Sequence, residues 1–289
     1  MSNSQTDFEY CQTKLKKNAA FLHFSALTVT EEARPATMAL YAFYAELSRI
    51  SRQVTSQEMG EIRLQWWNDV VEDATIDGQK GCGLANIGPL ASALKQIQRQ
   101  YNLPQPELLN IIRSRSFDVG TTPMPNLEAY QAYVMALNAS LLRLTMQILN
   151  NGEPATIEND LIVHSSLAIG LANHLFYWPQ DARRNKLFLP LDAFARQEVS
   201  VTGIFDIETS SGLHAALEDL CQLALAHHFK AKSHLASLKK TAQSHLAPAF
   251  LGLAISEKMI KMRQKHPTKD LTLPLWRGYW KIWRMTASL

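Results

Sequence analysis

Apolar residues recur at three- and four-residue spacing through most of this chain, and that pattern confines it to a helical fold. Only 12 glycines and 12 prolines are spread over 289 residues, so long segments run without a breaker. The periodicity predicts helices over 8–20, 32–53, 56–73, 90–101, 105–120, 126–150, 158–177, 212–237, 246–266 and 273–286. The gaps between them have chemical reasons. Residues 78–88 are a glycine-punctuated loop, Pro123 and Pro125 precede a helix-starting Asn126, and Asn150-Asn151-Gly152 reads as a cap and turn. No stretch alternates as a strand would, and no repeat or low-complexity linker appears. The reading is an all-α chain forming a single helical domain over 1–289.

Composition narrows the function classes. Hydrophobic residues make up 46% and charged residues 19%, enough for a large core. The mean hydropathy is −0.14, and no apolar run approaches twenty residues, so no membrane span is expected. Residues 1–7 are polar and lack the apolar stretch of a secretory signal. Cys11, Cys82 and Cys221 lie too far apart for a metal motif or a disulfide framework, which fits a reducing cytoplasm. A net charge of +3 gives no reason to expect nucleic acid.

Several separated segments carry a more specific signal. Leu40-Tyr41-Ala42-Phe43 precedes Ser48, Arg49 and Arg52, and Ile62-Arg63-Leu64-Gln65-Trp66-Trp67 follows. Later come Asn173 and Tyr177, then the run Asp181-Ala182-Arg183-Arg184-Asn185-Lys186, which exits through Phe188-Leu189-Pro190. In this order, from about Tyr10 to Leu238, the chain resembles the squalene and phytoene synthases. The resemblance implies an isoprenoid synthase-type helical bundle around a central apolar cavity. It also implies terpenoid chemistry, in which Mg²⁺ held by paired aspartates helps a diphosphate leave.

Aspartates four residues apart share a helical face and can reach one metal cluster, and Mg²⁺ wants such oxygen ligands. Here the matching positions hold Ser48, Arg49, Arg52 and Tyr177, and Asp181 alone survives as a metal-ligand candidate. Glu46 cannot substitute, because it lies about 200° around the helix from Ser48. Arginine stays protonated and repels a divalent cation. Its fork suits phosphate oxygens instead, so Arg49, Arg52, Arg183, Arg184 and Lys186 become the candidates for binding a diphosphate or another anionic group. Tyr41, Gln65, Asn173 and Tyr177 are the expected pocket-lining residues.

A branch of the same family lacks the aspartates in this way and resembles a mitochondrial assembly factor for respiratory complex I (NADH:ubiquinone oxidoreductase). The resemblance therefore implies a non-catalytic, chaperone-like role with complex I subunits or assembly intermediates as partners, no cofactor, and an isoprenoid or anionic lipid as ligand. The alternative is an active head-to-head prenyl transferase, which keeps Tyr41, Asn173, Asp181 and Arg184 and needs Mg²⁺. A plain lipid carrier is a third reading.

Near the end of the chain Trp276, Trp280 and Trp283 share a helical face, with Arg277, Lys281 and Arg284 one step round. That pattern fits a helix packing its tryptophans on the core, or one lying on a membrane, which would place a cytoplasmic protein peripherally on the inner face of the inner membrane. His227 and His234 share a face but lack a convergent third ligand, and His174 beside Asn173 reads as a core or pocket histidine.

Overall fold

The computed structural model describes residues 3–72 and 87–288, and every element among them is helical. Most of the expected 78–88 loop, with Cys82, lies outside the described residues. The helices are α1 (Asn3–Asn18), α2 (Ala20–Leu27), α3 (Arg34–Gln53), α4 (Gln57–Glu72), α5 (Pro89–Gln100), α6 (Gln105–Ser114) and α7 (Ser116–Val119). There follow α8 (Leu127–Val134), α9 (Ser140–Leu149), α10 (Asn159–Ala182), α11 (Leu191–Ala195), α12 (Val201–Phe205), α13 (Ser211–Leu238), α14 (Leu253–Lys265) and α15 (Leu275–Thr286). A π turn over Met135–Ala139 separates α8 from α9, and a 3₁₀ turn over Ser244–Phe250 leads towards α14.

The chain divides into two compact units. One comprises Met1–Gly120 and Ser140–Thr156; the other comprises Thr121–Ala139 and Ile157–Leu289. In the first, α3 packs against α1, α5 and α9. It is buried almost continuously from Ala36 to Phe43, which explains why the Leu-Tyr-Ala-Phe stretch is apolar all round. In the second, α10 packs along α13 and α14.

The small residues of α10 serve packing. A β-carbon on Gly170 would come within 2.6 Å of Val134 and 3.2 Å of Asn138. The Asn138 amide, in the π turn, donates to the Ser166 carbonyl of α10 at 3.0 Å. The close approach at Gly170 is thus the contact of a neighbouring helical segment.

Several expected boundaries need correction. Helix α10 continues to Ala182 rather than ending at 177, despite Pro179 inside it. Residues 105–120 break into two helices at Arg115, whose side chain forms a buried ion pair with Asp118 at 2.8 Å. The stretch Leu127–Leu149 is long and apolar enough to cross a membrane, which the sequence reading missed; 61% of the scored window is buried inside the protein, as in a core helix. Asn126 does cap α8, its side chain accepting from the Ala129 N–H at 2.9 Å.

The continuation through Pro179 has a specific cause. Proline has no N–H, so the carbonyl four residues back, on Leu175, loses its helical partner. Arg263 of α14, fully buried, replaces it: Nε donates to the Leu175 carbonyl and Nη2 to that of Phe176, both at 2.7 Å. Its Nη1 donates to the carbonyls of His266, Pro267 and Lys269 at 2.7, 2.9 and 2.9 Å. The Trp178 indole donates to the same Pro267 carbonyl at 2.8 Å. One guanidinium thus ties the proline-bearing turn of α10 to the loop after α14. Burial pulls its pKa down to about 10, leaving it charged at neutral pH.

Candidate functional site

The residues singled out from sequence fall on both units, and each set has its own surroundings. On α3, Ser48 and Arg49 are half-buried and Arg52 is exposed. The Ser48 hydroxyl is spent within its own helix, donating to the Ala45 carbonyl at 2.8 Å. Glu46 turns to α1 instead, where Lys14 meets it at 3.3 Å. This agrees with its placement on the other side of α3. Tyr41 is buried and hydrogen-bonded to Thr145, and burial pushes its phenol up to about 12. Gln65 is exposed, its amide donating to Asp69 one turn on at 2.8 Å.

On α10, Asn173, Tyr177 and Asp181 recur every four residues and form one stripe. Asn173 and Tyr177 are exposed, whereas Asp181 is 6% exposed. The helix stops just beyond it. Asn185 adopts a left-handed conformation (φ 56°), and the Arg184 and Lys186 N–H groups both donate to the Asp181 carbonyl, at 2.9 and 3.0 Å. Three basic side chains therefore sit at a helix C-terminus, where the macrodipole favours positive charge. Arg183 has a further commitment: it grips both oxygens of Asp270 at 2.7 and 2.9 Å. Among the described residues, neither Arg49 nor Arg184 pairs with a carboxylate.

The exit segment is anchored in both directions. The Met124 N–H donates to the Leu187 carbonyl at 3.0 Å, and the Leu191 N–H donates to the Met124 carbonyl at 2.8 Å. The Phe188 ring stacks on His174 with centroids 5.0 Å apart, and His174 Nδ1 shares a 2.9 Å hydrogen bond with the buried Tyr130 hydroxyl. Sequence reasoning marked His174 as a core or pocket residue but missed this stack, because nothing local links residues 130, 174 and 188.

The donor set does not fit Mg²⁺. Guanidinium groups cannot ligate a cation, and Ser48 and Tyr177 offer only hydroxyls in place of carboxylates. Asp181 is a single carboxylate where the chemistry asks for pairs. Among the described residues, no group of three or more His, Cys, Asp or Glu could hold a metal ion.

His227 does acquire a neighbour that the sequence did not reveal. It shares a 2.9 Å Nδ1–Nδ1 hydrogen bond with His164 of α10, while His234 pairs with Glu158 at 2.7 Å. Burial, then the His164 and Lys230 charges, lower His227 to about 4 from an ordinary 6.5. The folded state holds this imidazole neutral, so stability is full above about pH 6.5 and declines as pH falls towards about 4. At full burial the loss would be about 3 kcal/mol; solvent access reduces it to roughly 1–2 kcal/mol. Denaturant melts at stepped pH should show this loss in the wild type and a flatter profile in His227→Asn.

Cys11 and Cys221 are buried thiols, pushed up to about 12 chiefly by burial. At neutral pH they are protonated and poor nucleophiles.

The described elements form an all-helical fold, and residues 16–277 match the model of the squalene/phytoene synthase family. The chain belongs to the squalene/phytoene synthase family, a family of prenyl transferases. Among individual relatives it is 27% identical to the human protein named NADH dehydrogenase (ubiquinone) complex I, assembly factor 6, over 96% of this chain and 82% of that one. Among solved structures it is similar in fold to a ligand-bound dehydrosqualene synthase (TM-score 0.76, 15% identity, 99% of this chain and 96% of that one). It is also similar to a squalene synthase from Alicyclobacillus acidocaldarius (TM-score 0.71, 15% identity, 93% and 97%).

Proposed function

We propose that this protein is a non-catalytic member of its family, acting as a chaperone-like factor in the assembly of respiratory complex I, with an anionic isoprenoid or lipid as its ligand. The observation that carries the reading is the replacement of the metal-binding carboxylates by Ser48, Arg49, Arg52 and Tyr177. Without a metal cluster, a diphosphate can still be held but has no help in leaving. The name of the human relative supports the partner, and likeness along 96% of this chain supports carrying it over.

In this reading phosphate oxygens are recognised directly, by Arg49 and Arg52 on α3 or by Arg184 and Lys186 after α10. Arg183, held by Asp270, positions the turn that presents its neighbours. Asn173 and Tyr177 offer neutral polar contacts beside it.

Removing the gene from its source organism tests the partner. Assembled NADH:ubiquinone oxidoreductase should fall on native gels and return with the intact gene. Unchanged assembly would sink the complex I role. Mg²⁺-dependent pyrophosphate release from farnesyl or geranylgeranyl diphosphate by the wild type would sink the non-catalytic reading and favour a prenyl transferase.

A further inference from the structure

Helix α15 presents its most apolar face to solvent. Trp276, Trp280 and Trp283 are 66%, 57% and 53% exposed, and they occupy successive turns of one stripe. The helix docks through the opposite side, where Gly278 and Ile282 are buried and α14 is the neighbour. Of the two readings open from sequence, the tryptophans packed into the core is therefore the one the structure rejects. They also order one another: Trp280 and Trp283 stack at 5.0 Å, and the Arg277 guanidinium lies 5.0 Å from the Trp276 ring.

The charge beside that stripe has one sign. Arg277, Lys281 and Arg284 flank the tryptophans, and residues 275–286 contain no carboxylate. Helix α13 extends the patch. His228 of α13 is lowered first by burial, opposed by Glu257, and then by the charges of Lys232 of α13, Lys261 of α14 and Lys281 of α15. Lys261 is matched by Glu257 at 2.6 Å. Lys239 reaches the Ser288 carbonyl at 3.1 Å, bringing the end of α13 against the end of α15.

We infer that α15 is a membrane-surface helix that seats Trp276, Trp280 and Trp283 in the interface of an anionic phospholipid bilayer, with Arg277, Lys281 and Arg284 against the headgroups. Indole rings favour the boundary between headgroup and chain, where an apolar body and a polar N–H are both accommodated. Arginine and lysine stems can extend along the apolar layer while their charges stay among phosphates. A protein partner would have to supply an acidic, aromatic-lined groove of matching length, whereas a bilayer supplies both features as a plane. The helix, about 18 Å long, lies along such a surface rather than through it.

Vesicle sedimentation of the full chain tests this. The wild type should pellet with equimolar phosphatidylglycerol and phosphatidylcholine, with blue-shifted tryptophan emission, and only weakly with phosphatidylcholine alone. The combined Trp276→Ala, Trp280→Ala and Trp283→Ala variant should stay in the supernatant with an unchanged far-ultraviolet spectrum. Replacing Arg277, Lys281 and Arg284 by glutamine should weaken partition on the order of 100-fold. Quenching of the wild-type emission by brominated lipid reads the same contact without any variant. Failure to pellet with anionic vesicles, or equal pelleting of the tryptophan variant, would overturn the inference. So would lipid-free dimerisation that this variant abolishes, since the face would then cover a second copy.

Discussion

Replacing Arg263 by methionine is expected to destabilise the protein by about 3–5 kcal/mol, the range for breaking a buried polar network while leaving its partners unmet. Five backbone carbonyls lose the guanidinium at once, and of these that of Pro267 still has the Trp178 indole as a donor. In a chain of this size the melting temperature should drop by roughly 10 °C. Lysine should recover little, because one ammonium group cannot span both α10 and the following loop. A double-mutant cycle gives the sharper reading. Pro179→Ala restores an N–H that can bond the Leu175 carbonyl, so Arg263→Met should cost about 1 kcal/mol less in that background. Additive effects would mean that Arg263 is not compensating for the proline.

The second large effect is expected at Asp118. Its carboxylate meets Arg115 at 2.8 Å, and both side chains are buried beside the Tyr44 ring, which lies 4.9 Å from the guanidinium. Asp118→Asn removes the carboxylate that faces a buried guanidinium and should cost about 3–5 kcal/mol. Replacing both partners, as Arg115→Met with Asp118→Leu, should recover most of that loss, because an apolar pair needs no compensation there. Chemical denaturation of the two variants decides the matter; an Asp118→Asn variant as stable as the wild type would show that the pair is dispensable.

Helices were legible because their periodicity is local. The long α3, α10 and α13 announce themselves by apolar spacing, and Asn126 by its capping chemistry. Features set by tertiary contact were not. A proline normally ends a helix, and the donor that meets the freed Leu175 carbonyl is Arg263, 84 positions away in sequence from Pro179. The π turn after α8 and the break at Arg115 also depend on long-range partners or a buried pair. At the candidate site, residue identity was readable and commitment was not. The arginines of the second cluster could be named from sequence, but the grip of Asp270 on Arg183 could not. Likewise, three tryptophans on one face fit burial or exposure equally well until the docking side of α15 was known.

The proposed function requires arginines to recognise an anion where the family uses metal-bridged carboxylates. Calorimetric titration with a non-hydrolysable farnesyl diphosphate analogue, with and without Mg²⁺, tests it most directly. The account predicts binding of equal strength in both conditions, weakened by added salt. It should also be weakened by Arg49→Gln with Arg52→Gln, or by Arg184→Gln with Lys186→Gln, and the larger loss identifies the dominant cluster. Binding that appears only with Mg²⁺, or no binding in either condition, would contradict it.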